Sequence, residues 1–194
     1  MQSLRQIANP IQNKPPEFHP ISKSSRDFDR MSYEILMSER QGQLYPRLLS
    51  QPKAVMACEE LGNDSTLLTV KSANVTQFLT QWLFKELKLS STVWLNLVRL
   101  NKTSTFIWPD GERLNAPSTL NGTSSSYANF HHCEPNGLSF SDWGVPHNPN
   151  ENCVEMLSDY YTYPRNCNVE AKGGQWNDKG CDVENIVVCQ RKII

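Results

Sequence analysis

The sequence has no Cys-x-x-Cys pair, no Gly-x-Ser-x-Gly, no His-Glu-x-x-His and no phosphate-binding loop. Each absence removes a class of chemistry. Without closely spaced cysteine pairs, zinc ribbons and thioredoxin-type redox sites fall away. Without the other three motifs, the common serine hydrolase, zinc protease and nucleotide-binding designs lose their sequence support. Charge of neither sign is in excess. With 19 Lys and Arg against 20 Asp and Glu, the formal net charge is -1, so no global field draws nucleic acid or an anionic membrane. No apolar run is long enough to span a bilayer, and no internal repeat is visible. The opening stretch "MQSLRQIANPIQNKPPEFHP" has no apolar core of the kind a signal peptide needs.

What is present points to an oxidising compartment. A chain of 194 residues suits one domain with a tail left over and buries a core without needing disulfides to exist. It nonetheless carries six cysteines: Cys58, Cys133, Cys153, Cys167, Cys181 and Cys189. An even number, widely spread, reads as three disulfides. Asn63, Asn74, Asn101 and Asn121 each begin an Asn-x-Ser/Thr glycosylation sequon. Paired cysteines and sequons together predict an extracellular or secreted protein. The missing leader then predicts that the chain is a fragment of a longer one.

Residues 1–41 are polar, with Pro10, Pro15, Pro16 and Pro20 and mixed charge, and read as a linker or disordered tail. Within them "DRMSYEILMSERQ" has the composition of a short helix. Packing is expected from Gly42 onward, giving a domain over 42–194. "QLYPRLL" reads as an edge strand that tolerates Pro46. "SQPKAVMACEELGN" reads as a helix capped by Ser50, with Ala54, Cys58 and Leu61 on one face and Gly62 as its stop. "SANVTQFLTQWLFKELKL" reads as a second helix. Its cap is Ser72 and its apolar stripe is Val75, Phe78, Leu79, Trp82 and Leu83. Beyond Ser91 the pattern turns to strands: "TVWLNLVRL", "TSTFIWPDG" with a turn at Pro109-Asp110-Gly111, then "CVEML", "GQWND" and "ENIVVCQR". Between Glu112 and Asn152 little is regular. The fold class that follows is α+β: two helices with small antiparallel sheets, a long irregular loop region and disulfide staples.

Several motifs, in order, carry a resemblance. Cys58 sits in "AVMACEELGN", Trp94-Leu95-Asn96-Leu97 resembles a Trp-Ile-Gly-Leu strand, and "FIWPDGERL" resembles a Trp-x-Asp-Gly hairpin. "FSDWG", "ENCVEM", "GGQWNDKGC" and "VVCQR" follow. This series resembles the C-type lectin-like domain family over about residues 42–191. The resemblance implies disulfides Cys58–Cys189 and Cys153–Cys181, with Cys133 and Cys167 as the remaining pair. It also implies a calcium-bridged sugar site. Such a site takes a Glu and an Asn from a tripeptide, a Glu two before a cysteine, and the Asn-Asp of Trp-Asn-Asp.

Matched residue by residue, the resemblance gives Glu151, Asn177 and Asp178 as metal ligands. Taking Trp143 as the family's Trp ahead of the calcium loop, it puts Val145-Pro146-His147 in the tripeptide register. Glu134-Pro135-Asn136 is then an ordinary turn beside a disulfide. Ca²⁺ takes about six to eight oxygen ligands. A site with Val145 and His147 keeps two carboxylates where the family has three, with Asn148 or Asn150 able to supply an amide oxygen. Calcium is therefore expected to bind weakly or not at all.

The candidate ligand-binding residues are His147, Asn148, Glu151, Trp176, Asn177 and Asp178. Tyr160, Tyr161 and Tyr163 lie near them in sequence, for packing or for stacking on a ligand. His131-His132-Cys133 reads as an exposed histidine pair beside a structural disulfide, since a Cys-His hydrolase needs a free thiolate. The expected function is a non-enzymatic binding module for a glycan, with a degenerate calcium site. The alternative is a calcium-independent module that binds an extracellular protein.

Overall fold

The computed structural model describes residues 24–100, 103–115, 127–137, 151–161 and 169–193. In chain order its strands and helices are β1 (Ser25–Phe28), β2 (Met31–Ile35), β3 (Met37–Arg40), β4 (Gln43–Pro46), β5 (Leu48–Leu49), α1 (Gln51–Glu59), β6 (Thr66–Leu67) and α2 (Ala73–Leu79). A π-helical stretch, Thr80–Glu86, continues α2. Then come β7 (Val93–Arg99), β8 (Thr105–Ile107), β9 (Arg113–Asn115), β10 (Cys153–Met156), β11 (Trp176–Lys179), β12 (Asn185–Ile186) and β13 (Val188–Lys192). Two helices and small, mostly antiparallel sheets make the α+β class expected from the sequence.

One sheet runs β1-β2-β13-β6, and another runs β11-β10-β7-β12-β5 with β8 and β9 paired outward from β7. The first corrects the reading of residues 24–41. They do not hang as a tail, and "DRMSYEILMSERQ" is not a helix. β2 pairs along its whole length with β13, from Val188↔Ile35 to Lys192↔Met31. Alternation decides it: Tyr33 and Ile35 are buried at 2% and 1% exposure, on the same side of the strand. Residues 1–23 lie outside the described residues.

Ser50 precedes α1 without a side-chain cap, and Pro52 stands in the first turn, where its missing N–H costs nothing. Ala54 and Cys58 are buried as expected, but Leu61 lies beyond the helix end and is exposed. Ser72 does cap α2, its hydroxyl accepting from the Val75 N–H at 3.3 Å. Leu79, Trp82 and Leu83 go into the core, joined by Phe84, which the helical stripe did not include. The wider π turn brings Phe84 round to the buried side.

The main core gathers Tyr33, Trp82, Phe84, Leu95, Phe106, Trp108, Met156 and Trp176, and a second cluster surrounds Cys58, Trp94 and Cys189. The bridges Cys58–Cys189 and Cys153–Cys181 are both formed. Cys133 is also disulfide-bonded. Cys167, its expected partner, lies outside the described residues.

Candidate functional site

The site is built where β7, β10 and β11 end together. β10 lies between the other two, with Glu155 opposite both Trp94 and Asn177. Successive side chains of a strand point to opposite faces. Along β11 this separates Asn177 from its neighbours Trp176 and Asp178.

Asp178 is fully buried and is the hub of one cluster. Its Oδ1 accepts the Asn136 backbone N–H at 3.0 Å, and its Oδ2 accepts the Gly137 N–H at 2.9 Å. The same Oδ2 forms a salt bridge with the Arg99 guanidinium. Asn136 Nδ2 donates to Glu134 Oε1 at 2.9 Å. Glu134 is buried, and its carboxyl group is hydrogen-bonded to that of Asp178.

Glu134-Pro135-Asn136 therefore does not stand apart as a plain turn, as the sequence reading expects. It is seated against Asp178, with Glu151 beside it. A Cβ on Gly137 would come within 2.7 Å of Asp178 Oδ2 and 2.9 Å of Glu151 Cβ. Only glycine lets the backbone come this close. The signal that could have found this segment was the literal Glu-Pro-Asn followed by glycine. A register set on Trp143 bypasses it, and Trp143, Val145, Pro146, His147, Asn148 and Asn150 all lie outside the described residues.

Crowding of carboxyl groups perturbs their acidity. Burial first, then the adjoining Asp178 carboxylate, then Glu151, push Glu134 up to about 10. Burial and the charge of Asp178 raise Glu151 to about 7. The Tyr161 hydroxyl is raised too, by burial first and then by the charges of Glu155, Glu134 and Glu151. At neutral pH, Glu134 is thus held neutral and Asp178 is balanced by Arg99.

Asn177 belongs to a second group. Its Nδ2 donates to Glu155 Oε1 at 2.8 Å, while Thr92 Oγ1 and Asn185 Nδ2 donate to Glu155 Oε2 at 2.9 and 2.7 Å. This buried carboxylate is satisfied three times over, a structural knot joining β10, β11 and β12. Of the three expected metal ligands, Glu151 and Asp178 come together and Asn177 does not. Trp176, expected to meet ligand, is fully buried, packed edge-on against Trp108, Tyr127 and Phe130.

His131 corrects the expected exposed pair. It is 1% exposed, its Nδ1 accepts the Cys133 N–H at 3.3 Å, and its Nε2 meets the Val169 carbonyl at 3.1 Å. Burial lowers its pKa, so it is a neutral structural imidazole. With Cys133 in a disulfide, the His132–Cys133 pair offers no thiolate. Tyr160 is 58% exposed, and Tyr163 is outside the described residues.

A calcium ion does not fit these residues as they stand. Its donor chemistry is right, with carboxylate and amide oxygens, but both oxygens of Asp178 are already engaged and Asn177 faces away. Among the described residues, no group of three or more His, Cys, Asp or Glu is arranged to hold a metal. None of the described helices is long and apolar enough to cross a membrane.

Comparisons with known proteins agree with this architecture. The family model for the lectin C-type domain matches residues 47–191. "C-type lectin domain family 4 member M" of Symphalangus syndactylus is 28% identical over 141 residues, which is 72% of this chain and 24% of that protein. The chain thus spans about a quarter of the length of the curated relatives it matches. The cow C-type carbohydrate-recognition domain of CD23, solved in the presence of GlcNAc2Man3 oligosaccharide, superposes with a TM-score of 0.57 at 22% identity, covering 89% of this chain and 95% of that one. A calcium-independent type II antifreeze protein superposes with a TM-score of 0.55 at 12% identity, covering 92% and 98%.

Proposed function

This chain belongs to the family of C-type lectin domains, and on that premise we propose that it is an extracellular, non-enzymatic binding module for carbohydrate. The contact face we assign is Glu134, Asn136 and Glu151, with His147 and Asn148 kept from the sequence reading. One observation carries this: Asn136 is paired with Glu134 beside Glu151 and Asp178. A carboxyl oxygen accepts a hydrogen bond from a sugar hydroxyl, and an amide donates one to it. Glu134, buried beside Asp178 and held neutral, presents a carboxyl group that can both donate and accept hydrogen bonds. The fold shared with the CD23 carbohydrate-recognition domain lends support to the ligand class. The family is generally non-enzymatic, and binding without turnover suits a site whose cysteine is oxidised.

A second reading, a calcium-independent module for a protein ligand, is favoured by a separate observation. Exposed Tyr160 follows β10 closely and adjoins Tyr161, whose hydroxyl feels the charges of Glu155, Glu134 and Glu151. Aromatic side chains of this kind are enriched at protein interfaces.

The experiment is a glycan array probed in calcium and again in chelator, with wild type, Glu134→Ala and Asn136→Ala. Carbohydrate binding predicts a glycan signal in the wild type that falls about tenfold or more in either variant, since each loses one or two hydrogen bonds to ligand. No signal in either buffer would remove the carbohydrate reading and leave the protein-ligand one.

A further inference from the structure

Resting on that reading of the site, we propose that Arg99 is its resident cation: it neutralises the carboxylate that the family gives to calcium and keeps the contact face assembled without the metal.

Arg99 closes β7 and is the one charged residue in the run "TVWLNLVRL". A buried arginine is rare unless it is paired. Here the side chains of Arg99 and Asp178 are 2% and 0% exposed. Every nitrogen of the guanidinium is placed. Nε donates to the Glu151 carbonyl at 3.1 Å, Nη1 to the Thr103 carbonyl at 3.1 Å, and Nη2 to Asp178 Oδ2. Its plane lies over Phe106, 4.5 Å from the ring centre. Asp178 of β11 and Glu151, which precedes β10 by two residues, are thus tied through one planar group. Lysine, with a point charge and no fork, cannot do the same.

The cluster is more than a collection of acids. Glu134 is buried against Asp178 and held neutral, so the fold has left there a carboxyl group able to exchange hydrogen bonds with a ligand. What it has not left is a free Asp178. One oxygen takes the Asn136 N–H, and the other takes the Gly137 N–H and Arg99. A divalent cation bound to Asp178 would share an oxygen with a buried positive charge, and like charges at such range in a low-dielectric setting repel strongly. Arg99 therefore acts as a positioning residue and as the reason calcium does not fit.

The test measures melting temperature in about 5 mM calcium, near the range of weak extracellular sites, and in chelator. It compares wild type, Arg99→Gln and Arg99→Lys. The wild type is expected to melt at the same temperature in both buffers. Arg99→Gln, which leaves Asp178 uncompensated, is expected to fall by about 10 °C in chelator and to recover several degrees with calcium. Arg99→Lys keeps the charge but not the fork, and is expected to fall without regaining stability from calcium. If Arg99→Gln does not fold, Arg99→Met preserves the stem over Phe106 and takes its place.

A calcium-dependent rise in wild type overturns the inference, whatever the variants do. So does a folded, charge-free variant that calcium fails to stabilise. Glycan arrays on the same samples separate the two readings. Wild-type glycan binding that requires calcium would sink the role of Arg99 and leave carbohydrate recognition standing. The expected melting pattern with no glycan bound would do the reverse.

Discussion

Gly137 shows how narrowly the site is built at the scale of a single residue. It is not a turn glycine chosen for positive φ. What it supplies is the absence of a side chain, so that its N–H reaches Asp178 Oδ2 at 2.9 Å. Gly137→Ala would drive a methyl group against Asp178 and Glu151, and both of these are anchored by Arg99. Overpacking of this kind costs about 1–3 kcal/mol. Urea unfolding should show a loss in that range. Gly42→Ala, with open space around it but φ of +76°, gives a comparison in which backbone strain alone is at work. A Gly137→Ala protein as stable as wild type would mean that Glu134-Pro135-Asn136 is not held where we describe it.

The same residues show what the sequence made legible. Glu151 and Asp178 were found from their places beside Cys153 and in Trp-Asn-Asp. Asn177 was grouped with them because it is adjacent in the chain, yet a strand sends adjacent side chains apart. Arg99 went unnoticed because nothing in a β-rich run announces a buried ion pair that spans 79 positions.

At the scale of elements, the hairpin of β1 and β2 was the largest thing the sequence concealed. The familiar hairpin signal is Asn-Gly or Asp-Gly, because both central residues of a type I′ turn need positive φ. Here Asp29 and Arg30 take φ of 48° and 62° without any glycine. The next hairpin, of β3 and β4, turns at Gln41 and Gly42, and only Gly42 offered a hint. Met31, Tyr33 and Ile35 alternate, but Glu34, Leu36 and Met37 favour helix in isolation. Pairing with β13 overrides that preference.

If the hairpin is an integral layer, Tyr33→Ala should be costly. Tyr33 is 2% exposed and tilts against Phe78, with ring centres 5.5 Å apart. Emptying such a position costs about 3–5 kcal/mol. Arg26→Ala, which removes an exposed ion pair with Glu86, should cost less than about 1 kcal/mol. Chemical denaturation of the two variants side by side checks this. Equal, small losses would return residues 24–41 to the status of a tail. The helices, by contrast, were legible in place and buried face, because the Ser72 cap, Pro52 and a 3.6-residue stripe are local signals, although Ser50 makes no cap and Leu61 falls past the end of α1. The end of α1 and the π turn that brings in Phe84 needed the structure.

For the molecule as a whole, the two bridges divide the work of holding the site. Cys58–Cys189 spans 131 positions and ties α1 to β13, the last strand. Cys153–Cys181 spans 28 and ties the start of β10 to the residue two past the end of β11, at the foot of the Asp178 cluster. On a chain-entropy estimate the first contributes about 4–5 kcal/mol and the second about 3.5 kcal/mol. Global stability should therefore suffer more from the Cys58→Ser, Cys189→Ser double variant. Binding should show the opposite order. Without Cys153–Cys181, β10 and β11 keep their backbone pairing and the Asn177–Glu155 hydrogen bond, but Glu151, two residues before the lost bridge, loses its nearest covalent anchor and is held near Asp178 through Arg99. Without Cys58–Cys189, any molecule that still folds retains the cluster intact.

Denaturant midpoints and ligand affinities, measured on both double variants below their unfolding transitions, should thus rank them in opposite orders. If the two losses instead ran in parallel, with affinity simply tracking stability, the cluster would have no local frame of its own, and placing the contact face at the meeting of β7, β10 and β11 would fail with it.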